Sequence, residues 1–280
     1  MVLATKGIKW EKSIEKGMAE AKKTGKPIFM DFYTDWWGVC KRLDATTFAD
    51  EKVVDLSKEF ITLKVNLEAG PEQRALYQEY GDGTGSIPAI AFVSSEGGII
   101  NRPQAGSPVL FDAKEFAELM GETLEEEKKF RQLRAELKKT PNDAKTNVEL
   151  AIIYAKRGNI ETGQPLADKA IKLDPENKTG LLPELYVNLG LYYGQNTAGE
   201  NAEDYFQKAE TYFNTVIEKY SQSESYEPAH YYLGVTYAIQ EKYELSIATL
   251  EKLTDAKDSD TKANAAEMLE RIKAIAHNAN

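Results

Sequence analysis

Apolar and polar positions change rhythm near the middle of this chain. Residues 11–24 (Glu11 to Thr24) place Ile14, Met18 and Ala21 at helical spacing, and Gly25 breaks that pattern. Pro27-Ile28-Phe29-Met30-Asp31-Phe32-Tyr33 is a short apolar run, which predicts a buried strand. A helix follows the loop Trp36-Trp37-Gly38-Val39-Cys40, passing through Leu43 to about Ala49. Phe60 to Asn66 alternates and is β-branched, predicting a second strand, and a helix is expected around Pro71–Tyr80. Ser86 to Val93 is a strand with a proline at its entrance. Glu96-Gly97-Gly98 turns it into Ile99-Ile100-Asn101-Arg102, and a helix covers Ala113–Met120. The order β-α-β-α-β-β-α is that of a small α/β domain.

From about Thr123 the period becomes helical throughout. Residues 123–143 predict a linker helix ending at Pro141-Asn142-Asp143. Leu150-Ala151-(x)2-Tyr154, Leu189-Gly190-(x)2-Tyr193 and Leu233-Gly234-(x)2-Tyr237 then share one pattern. Each is followed by a second amphipathic helix anchored by Ala167 and Ala170, Phe213 and Val216, or Leu250 and Leu253. Asp174-Pro175 ends the first unit. The middle unit needs an insertion around Gln195–Asp204. Ala265, Met268, Leu269, Ile272 and Ile275 put residues 261–277 into a capping helix.

The 280 residues have room for two domains, and 42% hydrophobic residues with 15 Tyr and 10 Phe can build real cores. A net charge of −10 argues against nucleic acid or an anionic membrane as the main partner. No apolar run approaches the roughly 18 residues of a membrane span. The start Met1-Val2-Leu3-Ala4 has no leader pattern and is compatible with a removed signal peptide.

Cys40 is the one cysteine, so no internal disulfide can form and the redox compartment is not legible from cysteine usage. His230 and His277 have no ligand partners at metal spacing, and His230 reads as a packing or surface residue. Gly81-Asp82-Gly83-Thr84-Gly85 lacks the Lys-Ser/Thr of a phosphate loop and reads as a flexible connection. Neither a metal nor a cofactor is expected.

Taken together, Asp31, Trp36, Gly38, Cys40, Lys41 and Ile87-Pro88 carry a resemblance to the thioredoxin superfamily over roughly residues 8–121. The resemblance implies a redox loop of the form Trp-Cys-Gly-x-Cys-Lys. Here Trp37 stands where the attacking cysteine is expected, and Cys40 holds the second, resolving position. The resemblance also implies that Asp31 is the buried aspartate behind the site and that Pro88 is the cis-proline beside it. Trp36 and Ile87 would then line the peptide groove.

Each of these residues has an ordinary reading and a chemical one. Cys40 is either an inert buried thiol or a reactive one, favoured by a helix N-terminus. Asp31 is either a structural acid or a proton acceptor raised by desolvation. Trp37 reads as a natural loss of the nucleophile, as an engineered replacement of it, or as an aromatic wall; beside Ile87-Pro88 its indole would block the groove.

The second half resembles tetratricopeptide (TPR) repeats, whose period is about 34 residues. That resemblance places Val148, Ile152, Val187, Leu191, Tyr231 and Val235 on a concave face, either open to an apolar or aromatic segment or covered.

The expected organisation is a thioredoxin-like domain at 1–121, a linker helix at 122–143 and TPR-like repeats at 144–280. The expected function is protein or peptide binding, through the cis-proline groove, the repeat groove or both, with at most monothiol chemistry at Cys40. The alternative is a thiol–disulfide oxidoreductase whose nucleophile at position 37 has been replaced. The resemblance implies an extracytoplasmic, periplasmic home, with a cytoplasmic one left open.

Overall fold

The computed structural model describes residues 7–197 and 200–279. The chain divides into two compact units, Met1–Gln132 and Leu133–Asn280. The first is α/β and the second is all-helical, as the change of period predicts. The start Met1-Val2-Leu3-Ala4 and part of the insertion at Gln195–Asp204 lie outside the described residues.

In the first unit, α1 (Ile14–Thr24) is capped by Ser13, whose hydroxyl accepts from Lys16 N–H, and ends on Gly25 at φ 71°. Strands β1 (Ile28–Tyr33), β2 (Ile61–Asn66), β3 (Ala89–Val93) and β4 (Ile99–Asn101) form one sheet in the order β2-β1-β3-β4. β1 and β2 run parallel, and the other two pairings are antiparallel.

Side chains alternate across this sheet. Ile28, Met30, Phe32, Leu63, Val65, Ala89, Ala91 and Val93 build one core with Ala21 and Tyr80. Phe29, Ile90 and Phe92 face the other way, onto Leu43, Phe48, Phe116 and Met120. The second core is aromatic: Phe29 stands 5.1 Å from both Trp10 and Phe92, and 5.5 Å from Phe48. Burial on both faces explains why β1 reads as a continuous apolar run. By alternation, Asp31 falls on the face of Phe29.

Three helices differ from the sequence pattern. The helix after the loop begins at the loop itself, as α2 (Gly38–Ala45). A separate α3 (Glu51–Ser57), capped by the Asp50 carboxylate, precedes β2, and its two turns are too short to show a period. α4 (Pro71–Tyr80) matches the prediction. The expected break near Gly121 is absent, because α5 runs unbroken from Ala113 to Lys139. Phe116, Met120, Thr123, Glu127, Phe130 and Leu133 are buried at spacings of three and four, a stripe that passes through Gly121.

In the second unit the helices pack in consecutive pairs: α6 (Ala144–Lys156) on α7 (Ile160–Leu173), α8 (Leu182–Gln195) on α9 (Ala202–Lys219), and α10 (Tyr226–Ile239) on α11 (Tyr243–Leu250). α12 (Ser259–Ala279) covers Leu250 and Leu253 with Ala265, Leu269 and Ile272. The small residue of the repeated pattern has a steric origin. A Cβ on Gly190 would lie 2.6 Å from Phe213 Cε1, and one on Gly234 would lie 2.5 Å from Leu250 Cγ. Each glycine admits the paired helix at close approach.

Gly121 faces open space inside a helix, so Gly121→Ala should raise stability by about 0.5–1 kcal/mol. Gly190→Ala should lower it by about 1–3 kcal/mol, because Phe213 must move. Urea unfolding of both variants checks the pair; a tolerated alanine at 190 would contradict the packing described.

Candidate functional site

The parallel strands β1 and β2 end side by side, with Tyr33 opposite Asn66, so the loops that follow them meet. After β1 the chain passes through Thr34, Asp35 and Trp36 to Trp37, the N-cap of α2, which makes Cys40 the third residue of that helix. The Ile87-Pro88 bond is cis and enters β3 beside this loop. Here the Trp37 indole Nε1–H donates to the Ile87 carbonyl at 3.1 Å. The backbone acceptor beside this proline therefore already accepts one hydrogen bond from the chain itself.

The segment before the proline is staked rather than flexible. The Asp82 carboxylate accepts from Ala105 N–H at 2.6 Å and from Thr84 N–H at 3.0 Å. Arg102 donates to the Gly81 carbonyl, and the Tyr77 hydroxyl donates to the Ser86 carbonyl. Gly83 and Gly85, at φ 78° and 75°, supply the two left-handed turns.

Cys40 is 4% exposed. Burial pushes its thiol up; the Thr34 backbone N–H offsets part of this, and the nearby Asp31 and Asp44 carboxylates add to it. The helix N-terminus favours a thiolate, but desolvation outweighs it. Asp31 is 2% exposed, and burial raises its carboxyl to about 7 despite the Lys64 ammonium 3.4 Å away. Its Oδ1 has no hydrogen-bond partner among the described residues, so ionisation leaves a buried acceptor unsatisfied.

Lys64 stands opposite Asp31 in the strand register. It also pairs with Asp44 of α2 and lies 4.8 Å from the Tyr33 ring and 5.2 Å from the Trp10 ring. Burial alone would lower the lysine, but the two carboxylates outweigh it and raise it, so it stays charged. Lys64 and Asp44 were not among the expected site residues. The signal was available: in a strand buried on both faces, a lysine sharing the face of Thr62 needs a counter-charge.

Around this centre the two indoles lie at the surface, Trp36 62% and Trp37 39% exposed, edge to face with centroids 5.5 Å apart. Trp36 Nε1–H donates to Glu68 Oε1 at 3.0 Å. Asn66 bridges the rim, donating to Asp35 Oδ2 at 2.8 Å and accepting from Glu68 N–H at 2.9 Å.

The structure thus brings Asp31, Trp36, Trp37, Cys40, Ile87 and Pro88 together in the first unit. In the second, Val148, Ile152 and Val187 are buried in the helical core, whereas Leu191, Tyr231 and Val235 are partly exposed. Tyr231 packs against the α11–α12 cluster. A cleft of about 360 Å³ lies at the C-terminal ends of α6 and α8, lined by Lys156, Asn188, Leu191, Tyr192 and Gln195 among others. Lys156 and Gln195 continue the Val148-Ile152 and Val187-Leu191 stripes by one turn. His230 is buried edge-on against Tyr226, and burial lowers it to about 4, so it is neutral at pH 7. The side chain of His277 lies outside the described residues.

Residues 9–95 match the family model described as thioredoxin-like, and the architecture is an N-terminal thioredoxin-like α/β domain followed by an all-helical region. Among curated proteins the chain is similar to the thiol:disulfide interchange protein DsbD of Salmonella typhi, 31% identical over 104 residues, covering 37% of this chain and 18% of that protein. The same protein of Escherichia coli K12 is 30% identical over 110 residues, covering 39% and 19%. The chain therefore spans less than a fifth of these relatives.

Among solved structures, a disulphide isomerase from Xylella fastidiosa Temecula1 is 27% identical over 39% of this chain and 86% of that one, with a TM-score of 0.32. The C-terminal domain of DsbD from Neisseria meningitidis, in its reduced form, is 26% identical over 39% and 93%, with a TM-score of 0.34. No helix among the described residues is long and apolar enough to cross a membrane.

The raised Asp31 carboxyl has a sign in stability. The unfolded chain releases this proton near pH 4, whereas the folded chain holds it to about 7. The stability Asp31 contributes is complete below about 4 and is lost as pH rises to about 7. Asp31→Asn should therefore be more stable than the parent at pH 8, by an amount on the order of a few kcal/mol, and should flatten that slope. Urea unfolding from pH 4 to 8 checks this; an unchanged slope in the variant would contradict it.

Proposed function

We propose that this chain is a partner-binding protein built on a thiol–disulfide exchange scaffold, and that it does not itself carry out dithiol exchange. The observation that carries this reading is the Trp37 indole seated on the Ile87 carbonyl at 3.1 Å. It fills the position from which a thiolate would attack and takes the acceptor that an incoming backbone would use.

Dithiol reduction requires one thiolate to attack a substrate sulfur, expelling the other as a thiol, and a second thiol to resolve the mixed disulfide. With Cys40 alone the first half is possible, but no second thiol of this chain is present to resolve the mixed disulfide. A mixed disulfide at Cys40 is the most it can form, and the buried, raised thiol disfavours even that.

The helical unit is read as TPR-type repeats that bind a protein or peptide. Its consecutive helix pairs and the close approaches at Gly190 and Gly234 support this. The candidate surface is the cleft at Leu191 and Tyr192 with the partly exposed Val235, rather than the buried Val148, Ile152 and Val187. The division at 1–121, 122–143 and 144–280 belongs to this reading, as does the periplasmic home that the family resemblance carries.

A second reading is an oxidoreductase whose cysteine at position 37 has been replaced. The retained Asp31, Cys40 and cis Ile87-Pro88 favour it, as does the similarity to thiol:disulfide interchange proteins.

Reduction of a model disulfide protein in the presence of a small dithiol tests the proposal. The parent chain should stay at the background rate of its Cys40→Ser variant; turnover above that rate would overturn the proposal. Trp37→Cys separates the two readings. Turnover by that variant alone makes the chain a competent exchange scaffold disabled at one position, and silence from a folded variant leaves binding as its whole function.

A further inference from the structure

The surface around Trp36 and Trp37 has an uncommon chemical balance. An exposed tryptophan ordinarily offers a ligand its indole N–H, yet here both donors are spent inside the chain, on Glu68 and on the Ile87 carbonyl. What remains for a ligand is the exposed ring surface of the edge-to-face pair, whose faces carry the negative lobe of the aromatic quadrupole. The rim adds Asp35 and Glu68, whose carboxylates have no ion-pair partner among the described residues. The two ring systems and the two carboxylates are electron-rich, and the chain as a whole carries −10, although the Arg74 guanidinium lies next door on the Leu67 carbonyl. Asn66 holds the Asp35 carboxylate and the Glu68 main-chain N–H, and the Trp36 indole holds the Glu68 carboxylate, so both acids stay beside the indoles without being neutralised.

We infer that this patch is a recognition site for a cationic side chain, an arginine presented by a protein partner, stacked on the indole faces and held by Asp35 and Glu68. The inference rests on the binding reading above and gives that reading's partner its chemistry. An apolar segment is a poorer fit, because covering the patch would desolvate two carboxylates with nothing to compensate them. Guanidinium matches both halves of the site, since it stacks on aromatic faces and is weakly hydrated for a cation. The site is pre-ordered, with each indole fixed by its own hydrogen bond, so binding restricts few side chains.

The test uses the full chain and three capped tripeptides, Ala-Arg-Ala, its lysine counterpart and its citrulline counterpart, which keeps the shape of arginine and loses the charge. Binding is followed through the indole N–H resonances of Trp10, Trp36 and Trp37. The arginine peptide should shift Trp36 and Trp37 but not Trp10, with a Kd of about 1–10 mM. Citrulline should bind roughly 10-fold more weakly, and lysine should fall between them. Raising the salt should weaken the arginine peptide.

Glu68→Gln, at an exposed position, should reduce affinity several-fold while leaving the fold intact, and Trp36→Ala should reduce it further. Equal binding of the arginine and citrulline peptides would overturn the inference, as would no shift at about 10 mM. The two proposals fail separately. Disulfide turnover by the parent chain removes the binding reading whatever the peptides do, whereas a chain silent in exchange and blind to arginine removes only the cationic site.

Discussion

One hydrogen bond, from the Trp37 indole to the carbonyl of Ile87, ties the loop after β1 to the entrance of β3. It joins the N-cap of α2 to the residue before the cis proline, the two places where a redox loop and its substrate would meet. The donor on this carbonyl comes from the chain itself, so one of its two lone pairs is engaged without a ligand. Cys40 sits below with 4% exposure and a thiol that burial holds protonated.

The charges beneath follow from the pleat. Alternation puts Asp31 and Lys64 on one face, and the parallel register sets them opposite each other. Neither could be buried alone at acceptable cost. Lys64 is held by two carboxylates and two aromatic rings, whereas Asp31 has one oxygen without a donor and keeps its proton to about 7. In a thiol enzyme such a group could accept a proton from a nearby sulfur. Here it also gives the fold a pH dependence, beside a thiol that burial pushes up.

Much of the first unit was legible because its sequence is locally consistent. The strands at Ile28–Tyr33 and Ile61–Asn66, the helix at Pro71–Tyr80 and the proline before β3 all follow from period, turn residues and order. What stayed hidden depends on tertiary context. α3 spans only two turns, and Gly121 looks like a stop until the buried stripe from Phe116 to Leu133 is seen to pass through it. Of the expected concave face, Val148, Ile152 and Val187 are buried and Leu191, Tyr231 and Val235 partly exposed, a split not legible in sequence because apolar residues at helical spacing record burial without saying what covers them. The rim of Asp35, Asn66 and Glu68 comes from the C-terminal ends of β1 and β2, about 30 residues apart in sequence, and the strand pairing brings them together.

The most direct measurement is the rate at which the Cys40 thiol reacts with an aromatic disulfide reagent at neutral pH, in the folded chain and in denaturant. The account requires the folded rate to be orders of magnitude below the unfolded one and to rise when Trp37 is shortened to alanine. A folded chain whose Cys40 reacts as fast as the unfolded thiol would mean that the site is open to exchange, and the account would be wrong.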